Sequence, residues 1–415
     1  MKSKNSKLIL GLVVAVIAIG TEVLGQDNNQ SNKESYKERS FQVSFVPMFG
    51  TSRGPEEGYT NKFSLNVIGG YEHSLKGAEF GGIFNMNKYN VTGGQFSGMV
   101  NTVGGSFQGG QFAGFVNAVG GNITGGQFAG FVNVSKGYLN GGQYAGFTNI
   151  ITEDVQGAQG AGFVNVTSGR VRGAQIAGFT NVADSVNGAQ VAGFINVAPK
   201  GIDGAQVTGF ANISQDVEGA QIAGFFNRAR SLRGAQVGLI NVVDSLEKGA
   251  TVGLINIVGN GIKQASVEYN DVFDVNLAFR SGTTKFYSIL FAGMEAKDEF
   301  LWTYGAGFGT QYRIKGRLFG NVELTTQSIH NSEDDDFEFE DDLNLLSKLN
   351  VNFGLQLANH LALTAGPSLN VYVTNRQDPT SEGYGYDIGQ NIFFDEVYSD
   401  TAVKMWVGYN VSLKF

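Results

Sequence analysis

The chain has 415 residues, 12% of them aromatic, with Gly 60, Pro 5, no cysteine and a formal net charge of −8. A glycine share roughly double the usual ~7%, with so little proline, excludes collagen and Pro-rich linkers, and the aromatic content excludes wholesale disorder. The acidic balance leaves no basic footprint, so no nucleic-acid partner is expected, and without cysteine there are no disulfides, thiol nucleophiles or thiolate metal sites.

Residues 1–25 read as a signal peptide. "MKSKNSK" is basic, "LILGLVVAVIAIG" is an apolar run of 13, and "TEVLGQ" allows cleavage after Gly25. The run is shorter than the ~20 residues of a membrane helix and has the order of a secretory signal. Export is therefore expected. Residues 26–39, "QDNNQSNKESYKER", are polar and read as a linker. Over 40–73, "SFQVSFVPMF" and "NKFSLNVIGGY" alternate apolar and polar residues, which predicts N-terminal strands of a β-barrel.

Residues 74–262 are a repeat domain. Gln recurs at Gln111, Gln127, Gln143, Gln159, Gln175 and Gln190, spaced by 16 and then 15 residues, with Glu79 and Thr251 in its place in the first and last copies. Four residues on stand Phe115, Phe131, Phe147, Phe163, Phe179 and Phe194. Six residues on stand Asn117, Asn133, Asn149, Asn165, Asn181 and Asn196. An active site needs each group once; a dozen copies at fixed spacing point to stacking. All three positions lie at even offsets, so an extended chain would put Gln, Phe and Asn together on an inner face. The variable polar positions, such as Gln108, Thr124 and Gln156, would face water.

Two β architectures compete for this segment. Barrel strands would give a period of two repeats, because short and long turns alternate. The uniform connections favour a β-solenoid of about twelve coils, with like residues laddered ~4.8 Å apart. One stripe does not fit a solvated surface. The residues one and five after Gln, including Phe96, Phe112, Val116, Phe128 and Ile176, point outward yet are apolar. Such a stripe is expected to be covered by the rest of the chain, by another subunit or by lipid.

From 263 to 415 the period becomes two. "VKMWVGYNVSLKF" sets Val407, Tyr409 and Val411 on one face and Trp406, Asn410 and Lys414 on the other. Similar stretches, "FYSILFAGM", "LWTYGAGFGTQY", "RLFGNVELTT", "KLNVNFGLQLA" and "LALTAGPSLNVYV", have the length of tilted membrane strands. The expected fold is all-β: a solenoid inserted into, or fused with, an antiparallel outer-membrane-type barrel that the N-terminal strands help to close. Phe415 ends the last strand like a C-terminal membrane-insertion signal. "HNSEDDDFEFEDD", residues 330–342, lacks calcium-loop spacing and reads as a solvated outer loop.

The G-x-Q-x-x-G-x-x-N repeats, "VGLINVVDS", "VGLINIVGN" and the following "VNLAFRSG" resemble uncharacterised surface-repeat envelope proteins of Bacteroidota-type bacteria. The resemblance implies an outer-membrane or cell-surface location in a Gram-negative envelope and no activity. The residues themselves offer no catalytic site. His73, His330 and His360 are far apart in sequence, and no nucleophile elbow, Walker loop or Rossmann fingerprint occurs. No cofactor or metal is expected. Arg228, Arg230 and Arg233 read as an exposed coil edge. A structural, adhesive or partner-binding surface protein is the expected function, with lipid and a protein or glycan as partners. A pore lined by Asn350, Asn352, Gln356, Asn370 and Asn410 is the alternative. A secreted polysaccharide-acting solenoid enzyme comes last, because the coils carry no recurrent carboxylates.

Overall fold

The computed structural model describes residues 37–51, 56, 58–296, 300–331, 343–377 and 383–415. The signal segment, linker residues 26–36 and acidic residues 332–342 lie outside the described residues. The described chain is built of β-strands, with no α-helix. It divides into two compact units, Met1–Ile222 and Ala223–Phe415.

The first unit is a parallel β-solenoid, and the coil runs for about twelve turns. One turn comprises a strand of 7 residues and one of 4, as in Phe107–Ala113 and Val116–Val119. Each strand lies parallel to its copy in the next turn and in register, Gln111 beside Gln127 and Asn117 beside Asn133. Barrel strands would have run antiparallel to their sequence neighbours, so the choice between the two architectures goes to the coil.

Glycine is what lets the turns stack. Gly109 and Gly125 have φ of 133° and 127°, a region closed to most L side chains. A Cβ on Gly125 would come within 2.1 Å of the Gly109 carbonyl oxygen. The interior is filled by the apolar residue four before Gln (Phe107, Ile123, Leu139), by Gln and by Asn, all buried.

Three expectations need correction. Residues 40–73 are not barrel strands. Gln42–Val46 pairs parallel with Tyr59–Asn66, and Tyr59–Asn66 pairs parallel with Ser74–Gly81, so they are the first turns of the coil. Lys37–Arg39 also pairs parallel with Tyr59–Asn61, so the ladder begins inside the stretch read as linker. A strand of a coil and a strand of a barrel share the same pleat, and period two does not name the partner. The Phe ladder is not internal. Ala113 ends one strand and Val116 begins the next. The corner at Gly114–Phe115 interrupts the alternation and turns both residues outward, leaving Phe115 46% exposed, while Asn117 beyond it is buried again.

The second unit opens with Phe226–Val237, Ile240–Val252 and Ile255–Val258, again parallel, with Asn227 beside Asn241 and Asn241 beside Asn256. An antiparallel sheet of nine strands follows: β1 (Ile262–Asn270), β2 (Val275–Gly282), β3 (Tyr287–Ala296), β4 (Phe300–Lys315), β5 (Leu318–Asn331), β6 (Asn344–Ala358), β7 (Leu361–Thr374), β8 (Phe394–Tyr398) and β9 (Thr401–Lys414). From β1 to β7 each strand pairs with its successor; β7 pairs with β9, and β8 forms a hairpin with β9. β9 also pairs with β1, Lys414 beside Ser266 and Asn410 beside Asn270, so the pairing returns to its start without any N-terminal strand.

Candidate functional site

The repeated Gln and Asn form two continuous amide ladders in the core of the coil. Gln111 Nε2 donates to Gln95 Oε1 at 2.8 Å and Gln127 Nε2 to Gln111 Oε1 at 2.6 Å, and the pattern repeats through Gln143, Gln159, Gln175 and Gln190. The Asn ladder donates the other way. Asn117 Nδ2 donates to Asn133 Oδ1 at 3.0 Å, and the same contact joins Asn133, Asn149, Asn165, Asn181 and Asn196 to their successors. Each Asn also donates to a main-chain carbonyl of the next turn, as Asn165 Nδ2 does to Ile176 O at 2.8 Å. An amide carries both donor and acceptor, so identical copies can bond to one another indefinitely. The two ladders point in opposite directions and their dipoles oppose.

The direction of donation sets what each end requires. The Gln ladder runs out of acceptors at its N-terminal end, and there Glu79 accepts from Gln95 Nε2 at 2.8 Å. Glu79 is thus a chemical terminator and not a decayed copy. In the second unit Asn227 donates to Asn241 and Asn241 to Asn256, and at the C-terminal end Asn256 Nδ2 donates to Ser288 Oγ at 2.6 Å. The exchange of Gln for Glu at residue 79 was visible in the sequence, but without the donation direction it carried no meaning.

Outside, two aromatic ladders run side by side. Phe115, Phe131, Phe147, Phe163, Phe179 and Phe194 stack with neighbouring centroids at 4.9, 4.8, 4.9, 4.8 and 4.9 Å. Phe80, Phe96, Phe112, Phe128 and Tyr144 stack at 5.0, 5.1, 4.9 and 5.4 Å and wall an apolar groove floored by Gly114, Gly130 and Gly146. Phe112 folds back over Gly110, where a Cβ would lie 2.9 Å from the ring. From Phe96 to Tyr144 the sequence follows this contact, with Gly94, Gly110, Gly126 and Gly142 two residues before the aromatic ring, whereas Ala174, Ala189 and Ala205 precede Ile176, Val191 and Val207; Ala78 before Phe80, in the first copy, is the exception. Phe112, Phe128 and Ile176 are exposed, so the described chain does not cover this stripe. The positions five after Gln fare differently; Val116 is half-buried and Val132 buried by the stacking of the turns themselves.

The antiparallel sheet buries charge. Arg280 reaches Glu323 through Nε at 2.8 Å and Nη2 at 2.8 Å, and Glu268 through Nη2 at 2.7 Å. Glu323 Oε1 also accepts from the Tyr287 hydroxyl at 2.8 Å and from Lys414 Nζ at 3.3 Å. Nearby, Lys348 Nζ donates to Asn270 Oδ1 at 2.9 Å, and Asp271 accepts from Trp406 Nε1 at 2.7 Å. The cavity among these groups measures about 20 Å³, room for one water. Of the five residues read as a pore lining, Asn350, Asn352, Asn370 and Asn410 are buried on this inner side, while half-buried Gln356 donates to the carbonyl of Ala358 at the end of β6. Of the charged residues in this network only Lys414 was placed from the sequence, on the face opposite Val407; Arg280, Glu268, Glu323, Lys348 and Asp271 were not.

Phe415 is half exposed, and its amide donates to Ala265 O at 2.8 Å, beside β1. Arg228 and Arg233 pair with Asp244 at 2.8 Å and Glu247 at 2.5 Å, as a solvated coil edge would. Among the described residues, no group of three or more His, Cys, Asp or Glu is placed to hold a metal ion. No protein-family model, curated protein or solved structure matches the chain.

Proposed function

We propose that the chain is a non-enzymatic outer-membrane protein whose sheet β1–β9 closes as a small membrane barrel and whose coil serves a structural, adhesive or partner-binding role. One observation carries this reading: the sheet is inside out. Leu277, Phe353 and Val407 are 60, 62 and 63% exposed, whereas Arg280, Glu323 and Lys414 are 2, 1 and 1% exposed. In water that arrangement forfeits apolar burial and desolvates ions at once; in a bilayer it is the pattern of a membrane barrel. Strands of 14–16 residues in β4–β7 and β9 exceed the ~9–11 needed to span, leaving ends for the interfaces. The signal peptide expected from the sequence of residues 1–25 and the resemblance of the repeats to envelope proteins agree with it.

The polar inner side favours a pore as the second reading. Liposome swelling separates the two. Membrane fractionation with surface proteolysis tests the main reading. Recovery of the mature protein in the outer-membrane fraction is expected; a soluble periplasmic protein would overturn it. Deletion of Phe415 is expected to reduce assembly into that membrane, and unchanged assembly would remove its role as an insertion signal. Single cysteines at 112 and 128, in this Cys-free chain, test whether a partner covers the aromatic groove. In intact envelopes they are expected to react slowly with a water-soluble maleimide and those at 108 and 124 fast; equal rates would leave the groove open to water.

A further inference from the structure

Glu72 and Glu79 lie inside the first turns of the coil, 1 and 0% exposed. Their carboxyls are hydrogen-bonded to each other. Every other partner is neutral. Glu79 accepts from Asn66 Nδ2 at 2.9 Å, Asn87 Nδ2 at 2.6 Å and Gln95 Nε2 at 2.8 Å. Glu72 accepts from Asn61 Nδ2 at 2.8 Å and from the Ser64 hydroxyl. The ions on the surrounding strands face out: Lys62 and Lys76 hold Glu38, Lys88 holds Glu56, Lys37 is exposed and Arg39 covers the Tyr59 ring. His73 packs against Ser74 and Tyr89. Among the described residues no cation offsets the pair.

Two carboxylates in contact, away from water and cations, do not both ionise. We propose that Glu72 and Glu79 share one proton at neutral pH and that this proton is a pH-sensitive latch on the N-terminal end of the coil. With the proton between them, one carboxyl donates to the other and the remaining lone pairs accept from the four amides and the hydroxyl. Without it, two anions repel at the point where the Gln ladder starts.

Burial, and then the charge of Glu72, hold the Glu79 carboxyl well above the usual carboxylate range; burial also raises Glu72. A raised folded value fixes the sign. The latch contributes fully below the ordinary carboxylate range and its contribution is lost as pH rises through the folded value. With one proton taken up on folding, the local opening constant grows about tenfold per pH unit across that window.

The test is hydrogen exchange of the full chain in detergent, read as the protection of residues 59–97 relative to 155–192 in mid-coil, which cancels base catalysis. Between pH 5 and 8 the ratio is expected to fall in the wild type. Glu79→Gln places a permanent donor against Glu72 and is expected to hold the ratio level. If that variant fails to fold, Glu72→Gln supplies the same donor from the other side. A protonated-carboxyl infrared band at pH 7, absent from the variant, is the direct signature. A wild-type ratio that does not fall, the same slope in variant and wild type, or no such band would overturn the proposal. So would calcium restoring protection at pH 8 and a chelator removing it, since the pair would then hold a cation.

Discussion

The coil and the antiparallel sheet both bury polar groups and both show apolar side chains outside, yet they use different polar chemistry. The coil buries neutral amides, Gln111 on Gln127 and Asn117 on Asn133. The sheet buries ions, Arg280 with Glu268 and Glu323, and Lys414 with Glu323. The difference follows from repetition. In a parallel in-register stack each residue meets its own copy one strand spacing away, so a charge would meet the same charge. Only a group that is both donor and acceptor satisfies itself. An antiparallel sheet without repeats places unlike residues opposite each other, so an arginine can find a glutamate. Carboxylates enter the coil core at Glu72 and Glu79, at its end, where the stacking rule lapses.

Breaking one charge should therefore cost more than breaking one amide. Glu323→Gln leaves Arg280 and Lys414 short of their buried counter-charge, and a loss of about 3–5 kcal/mol is expected. Equilibrium unfolding in detergent checks it; a loss below that of the amide variant would mean the ions are hydrated after all. Asn165→Leu strands the donor of Asn149 and the acceptor of Asn181, and about 1–3 kcal/mol is expected. The same replacement at exposed Gln156 should stay within about 0.5 kcal/mol. Equal effects at 156 and 165 would invert the assignment of inside and outside.

The smallest effect sharpens the comparison on the outer face. Gly110→Ala presses a methyl against the Phe112 ring, and overpacking of about 1 kcal/mol is expected. Adding Phe112→Ile should recover most of it, because that pair already stands at Ala174 and Ile176. Thermal unfolding of the four members of this cycle measures the coupling. Purely additive losses would mean that the Gly–aromatic pairing has no steric origin.

By itself the sequence determined the coil period, the in-register identity of Gln and Asn, and the apolar/polar alternation of the sheet strands. Each is a local periodicity, and local geometry converts it directly into a face or a ladder. The exposed Phe ladder escaped because the corner at Gly114–Phe115 interrupts the alternation, and counting even offsets assumes a continuous strand. The partners of residues 40–73 escaped because alternation says which way a side chain points and not which strand lies beside it. The same holds for the network around Arg280 and Glu323, 43 residues apart in sequence. Only closure of β9 onto β1 and the stacking of β2, β3 and β5 around one interior bring those charges together. The tertiary structure decided that because long-range pairing leaves no period in the chain to be read.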